Sequence, residues 1–332
     1  MNHVSRFLTV LLALTLLLSL CACGAVDIAS GPEEKPAGTQ ASKSSERFPV
    51  EGDYEIFAAG LVGQIRRSDD YYIQACLSLY ADGTGKLVSE NTYSGKGFSV
   101  DLTWTLTRGE LEVAAPSGDA VGGWLRDGVA VLEIEPGFWE YFAVEGAETG
   151  SYFPDSRLSG YMETLDPEAG IHLSYTWRSI SFDVHCKSDT YYSLSTEPKN
   201  GFLARSVTFI RDGEVYDLNP FDMTGYHTQS GWSGTISADR LYRGLQDCSY
   251  RTEFREETRE YDGASYTVEV FPAPSEEYAE IAVYYNDAGQ PAVYREYTFT
   301  GTTITNVETY VILSIDDAVD ESLFDISGYK IK

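Results

Sequence analysis

Basic residues are scarce in this chain: 24 Lys and Arg stand against 51 Asp and Glu, a formal net charge of −27. So few cations cannot neutralise a run of phosphates, which excludes nucleic acid as a partner. Docking to anionic lipid through a basic patch is excluded for the same reason. Histidine is rarer still, with four residues. Beyond the N-terminus these are His172, His185 and His227, far apart in sequence and in no metal-ligand spacing. Neighbours on a strand, His185 and Cys186 point to opposite faces and cannot share an ion. The five cysteines form no CxxC pair, so neither a zinc site nor a disulfide scaffold is expected. Cys76, Cys186 and Cys248 read as buried free thiols, with a Cys186–Cys248 bridge as the alternative. Gly-x-Ser-x-Gly is missing; Ser233 in SGWSGT comes nearest, and no strand-to-helix turn follows it. The acidic cluster of Asp316, Asp317, Asp320 and Glu321 lacks the glycine of a calcium loop. The expectation is a protein with no metal, no cofactor and no catalytic machinery.

What is present begins at the N-terminus. Residues 1–23 read MNHVSRFLTVLLALTLLLSLCAC: one charge at Arg6, an apolar stretch from Phe7 to Leu20, then small Ala22 before Cys23. That is the order of a secretory signal peptide, and its stretch falls short of the about 20 apolar residues of a membrane span. Leu20-Cys21-Ala22-Cys23 resembles the lipobox of bacterial lipoproteins. The resemblance implies lipidation of Cys23, and hence a lipid anchor in the cell membrane with the protein on its extracytoplasmic face. Cys21 is the competing position, but bulky Leu20 precedes it. Residues 24–48 are rich in Gly, Ala, Ser, Pro and charge, the composition of a disordered tether.

From Phe48 onward Tyr (24) and Phe (15) abound, Met (3) is scarce, and long helical periodicity is missing. Four Asp-Gly pairs, at Asp82, Asp127, Asp212 and Asp262, lie between alternating apolar runs, a hairpin signal. In YYIQACLSLY, Ile73, Ala75, Leu77 and Leu79 share one strand face and Gln74, Cys76 and Ser78 the other. The fold class expected is all-β with one or two short helices. Residues 49–146 form a small antiparallel barrel of eight strands, and 150–332 a strongly curved antiparallel sheet, or half-barrel. In the second domain Ile171–Cys186 reads as one long strand and Tyr250–Tyr261 as another. A helix is expected over Ala238–Cys248, capped by Ser237.

Two resemblances follow the layout. Gly52-Asp53-Tyr54, LYADGTG, Trp104 and GGWLRDGVAVLEI come in an order similar to that of small bacterial lipocalin-like domains. FIRDGEVYDLNP (Phe209–Pro220) and the closing blocks YDGASYTVEVFP, IAVYYNDAGQPAVYREY and VDESLFDISGYKIK resemble lipoprotein-carrier domains of the LolA/LppX type in Gram-positive lipoproteins. Ser327 stands where that pattern has a proline. The second resemblance implies an apolar cavity partly plugged by short helices, and the binding or handling of an apolar ligand such as a lipid. Aromatic side chains are the candidates to line it: Trp177, Tyr192 and Phe209 in the second domain, with Trp104, Trp124 and Trp139 in the first. Core packing is the other reading of all six. The alternative function is a surface module that binds a protein or an envelope polymer.

Overall fold

The computed structural model describes residues 48–61, 63–232, 234–272, 278–300 and 303–332. Cys23 with its signal peptide, residues 24–47 of the tether, and Ser233 lie outside the described residues. The chain divides into two units, with the second running Pro154–Lys332. No helix among the described residues is long and apolar enough to cross a membrane.

The first unit is a closed antiparallel β-barrel. Its strands are β1 (Gly52–Leu61), β2 (Arg66–Arg67), β3 (Ile73–Leu79), β4 (Thr84–Asn91), β5 (Lys96–Thr107), β6 (Glu110–Ala114), β7 (Ala120–Arg126), β8 (Val129–Glu135) and β9 (Phe138–Ala143). From β3 to β9 each strand pairs with the next, β1 pairs with β3, and β1 closes on β9 from Glu55↔Ala143 to Leu61↔Phe138. The two residues of β2 extend the edge of β1. Asp127 and Gly128 link β7 to β8 with φ of 50° and 79°. Both central residues of such a turn need positive φ, which Asp and Gly tolerate.

Eight strands leave an interior that side chains can fill. They fill it here: Tyr54, Leu77, Leu79, Leu111, Leu132 and Phe142 are at most 1% exposed. Trp124 and Trp139 pack outside the barrel around Val129, Val131 and Ala143. Trp104 leans on the interior cluster and donates from Nε1 to the Thr84 carbonyl at 3.0 Å. Cys76 is half-buried rather than buried, because alternation turns it to the outer side of β3 while Ala75 and Leu77 point in. Glu140 shares the inward parity of Phe142 and pairs in register with Leu132 and Ala59. Burial, followed by the charge of Glu135, pushes its carboxyl up to about 7.

The second unit is an open twelve-stranded sheet with two helices. The strands are β10 (Ile171–Trp177), β11 (Ile180–Lys187), β12 (Thr190–Lys199), β13 (Phe202–Arg211), β14 (Glu214–Asn219), β15 (Thr224–Ser230), β16 (Arg255–Tyr261), β17 (Ala264–Pro272), β18 (Tyr278–Tyr285), β19 (Pro291–Thr300), β20 (Thr303–Asp316) and β21 (Lys330–Ile331). Their spatial order is β16-β17-β18-β19-β20-β10-β11-β12-β13-β14-β15-β21. Every neighbour is antiparallel except β15–β21. Helices α1 (Arg157–Met162) and α2 (Arg240–Ser249) lie on one face. There Leu158, Leu241 and Leu245 are fully buried, each worth about 2 kcal/mol of transfer free energy. Gly244 permits the close approach of α2, since a Cβ there would come within 2.5 Å of the Tyr294 hydroxyl. On the opposite face Leu323, Phe324, Ile326 and Tyr329, all beyond β20, pack against β12, β13 and β14.

Several boundaries differ from the sequence expectation. The span Ile171–Cys186 is a hairpin rather than one strand. Arg178 adopts φ 57° and, with Ser179, turns β10 into β11. No glycine marks that turn, so alternation runs through it unbroken. Helix α2 is capped by Asp239, whose Oδ1 accepts the Tyr242 N–H at 2.9 Å, and not by Ser237. The strand expected over Tyr250–Tyr261 starts only at Arg255.

Candidate functional site

A cavity of about 560 Å³ opens on the helix-bearing face of the second unit, beside the first turn of α2. Its walls follow from strand parity. Tyr175 and Trp177 of β10 point toward this face together, as residues two apart must. Phe182 of β11, Tyr191 and Ser193 of β12, Thr208 and Ile210 of β13, and Tyr310 of β20 continue the floor, and β14 and β15 add Val215, Asp217, Thr228 and Gln229. Asp239 and Arg240 of α2 stand at one side and Trp232, 52% exposed, at another.

The aromatic rings lie flat against one another. Tyr175 stacks on Phe182 at 4.8 Å with an interplanar angle of 13°. Trp177 stacks on Tyr310 at 6.1 Å and 11°. Trp177 is held from behind: its Nε1 donates to Glu308 Oε2 at 2.7 Å, and the Arg178 guanidinium lies 4.6 Å over its ring. Arg178, then Trp177, hold the Glu308 carboxyl down at about 2. The wall is therefore ordered before any ligand arrives, which lowers the entropic cost of binding.

Polar side chains share the wall with the rings, among them Asp217, Thr228 and Gln229 as well as Asp239 and Arg240. The Asp239 carboxylate is buried; Oδ1 caps α2 and Oδ2 accepts the Tyr175 hydroxyl at 3.0 Å. Burial raises its pKa, and the hydrogen bond from Tyr242 N–H opposes that rise. Arg240 bonds Glu296 at 2.9 Å and lies over the Tyr310 ring. The Tyr310 hydroxyl is buried and makes no hydrogen bond among the described residues. Among the described residues, no histidine or cysteine lines the cavity. Chemically, such a wall suits a ligand with a flat or chain-like apolar body and a polar end.

Of the three aromatic candidates, Trp177 is in the wall. Tyr192 and Phe209 are not. They pair with each other across β12 and β13 on the opposite face, buried with Val207, Leu218 and Phe324. Their neighbours Tyr191 and Ile210 face the cavity instead, so the sequence expectation is off by one residue of parity. Tyr175 and Asp239 escape sequence reasoning as well. Tyr175 carries a usable signal, since it shares the face of Trp177. The cysteines lie elsewhere: Cys186 and Cys248 are free and buried, and burial pushes each thiol up to about 12. The histidines also depart from expectation, because the Arg178–Ser179 turn sets His172 directly opposite His185.

Comparison with known proteins adds little to this geometry. No protein-family model matches the chain, and no curated protein matches it. A solved structure of an uncharacterized conserved protein from Thermus thermophilus is similar over 51% of this chain and 89% of its own, at 11% identity and a TM-score of 0.29. That likeness is too slight to carry an argument about fold or activity.

Proposed function

We propose that this protein is a non-catalytic lipoprotein, anchored through acylated Cys23 on the extracytoplasmic face of the cell membrane, whose second unit binds an apolar ligand such as a lipid. One observation carries the reading: the stacked, pre-ordered aromatic cavity beside α2. Its volume falls in the usual range for small-molecule sites, about 300–1,000 Å³. Burial of a ligand methylene there would contribute about 0.8 kcal/mol. The lipobox-like Cys23 and the signal before it support the anchor. The filled interior of the barrel favours a second role for the first unit, as a module that holds a protein or an envelope polymer.

Titration with a fluorescent fatty-acid analogue tests the cavity. Saturable binding is expected, and Trp177→Ala should weaken it about tenfold, or about 1.4 kcal/mol. Tyr192→Ala, on the other face, should leave the affinity unchanged. Absence of saturable binding, or equal affinity in the Trp177→Ala protein, would sink the proposal.

A further inference from the structure

On the sheet face away from the cavity, a second cluster of side chains converges that ligand binding does not use. The Arg178–Ser179 turn pairs His172 with His185, and their rings stack with centroids 4.6 Å apart. Asp183, two residues before His185 and hence on the same face, places Oδ1 2.9 Å from His172 Nε2 and 3.5 Å from His185 Nε2. One donor atom from each of the three residues lies within 4.8 Å of the others. From the neighbouring strand β20, Asp316 Oδ1 lies 3.1 Å from His172 Nδ1.

We propose that His172 Nε2, His185 Nε2 and Asp183 Oδ1 bind a divalent transition-metal cation of the zinc type, with a fourth position left to water. Two imidazoles and a carboxylate are zinc-type donors, whereas calcium and magnesium take oxygen alone. Bonds of zinc length in a tetrahedron place neighbouring donors about 3.4 Å apart, close to the spacing Asp183 already holds. Asp316 supplies the outer carboxylate that orients a metal-bound imidazole and fixes its tautomer. Access is open, because the Asp183 side chain is 46% exposed while that of His185 is only 7% exposed.

The cluster is also tied to the C-terminal segment. His185 Nδ1 accepts the Asp320 N–H at 3.2 Å, so the hydrogen of the neutral ring sits on Nε2. Capture of a cation at Nε2 moves that hydrogen to Nδ1 and gives up the Asp320 contact. The cation and the Asp320 turn therefore compete for one imidazole.

Calorimetric titration of the tag-free, metal-stripped full chain with zinc chloride tests the site, with cobalt(II) absorption as a spectroscopic readout. One zinc per chain is expected, and calcium should not displace it. His172→Ala and His185→Ala should each abolish stoichiometric uptake, and Asp316→Asn should weaken it roughly tenfold. Asp183→Asn, at a half-exposed position, removes a ligand without emptying the core and should also lose the tetrahedral cobalt spectrum. His227→Ala and Cys76→Ser should bind as the parent does. Failure to take up one equivalent, or uptake that survives His172→Ala and His185→Ala, overturns the proposal.

Discussion

Replacing Glu269 by Ala should cost the second unit about 3 kcal/mol. Glu269 sits on β17 and is fully buried. Its Oε1 accepts the Arg157 N–H at 2.6 Å, and its Oε2 accepts the Leu158 N–H at 3.1 Å. The Tyr285 hydroxyl donates to Oε2 as well, at 2.5 Å. A carboxylate from a distant strand thus satisfies the first free N–H groups of α1, whose six residues are too few to hold a helix alone. Alanine leaves three donors without this acceptor, two of them buried and the Arg157 N–H part-buried, each costing about 1 kcal/mol. Glu269→Gln keeps one acceptor and should lose roughly half as much. Urea unfolding followed by far-ultraviolet circular dichroism checks this. A loss below about 0.5 kcal/mol for the alanine variant would show that the α1 anchor carries no weight.

Glu140→Gln should do the reverse in the barrel, with a gain that grows as pH rises from about 4.5 and levels off above about 7. The Glu140 carboxyl titrates near 7 in the folded protein, raised from 4.5 by burial and then by Glu135. Between those two values the folded chain holds a proton that the unfolded chain has lost, so stability falls as pH rises through the window. Below the unfolded value both states are protonated and nothing is lost. Glutamine carries no charge at any pH. The substitution should therefore add about 2 kcal/mol at about pH 8 and almost nothing at about pH 4. The full shift would give more, but part of the Glu140 surface still reaches solvent and water there offsets the penalty. Thermal unfolding at the two pH values decides it, and an equal effect at both would contradict a buried, raised carboxyl.

Much of the barrel is legible in the sequence because its turns and its alternation agree. Asp127-Gly128 announces a positive-φ turn, and Ile73, Ala75, Leu77 and Leu79 name the inner face of β3 without ambiguity. In the second unit two signals fail, each for a physical reason. Arg178 takes positive φ with no glycine beside it, so the hairpin that joins His172 to His185 looks like one strand. Strand parity is the other failure. Tyr191 and Tyr192 are equally aromatic, and only the position of α2 decides which of them lines the cavity. Helix α1 is a half-buried turn and a half, too short to show a period, and its partner Glu269 lies more than a hundred residues away. Trp177 is readable as a site residue, whereas its companion Tyr310 becomes one only through the β10–β20 pairing.

Native mass spectrometry of the chain, purified in mild detergent from the membranes of the cell that makes it, tests the proposed function most directly. The expected species begins at an acylated Cys23 and carries a non-covalent apolar companion, which Trp177→Ala depletes. An acylated chain that arrives with an empty cavity, in wild type and variant alike, would contradict ligand carriage by the second unit.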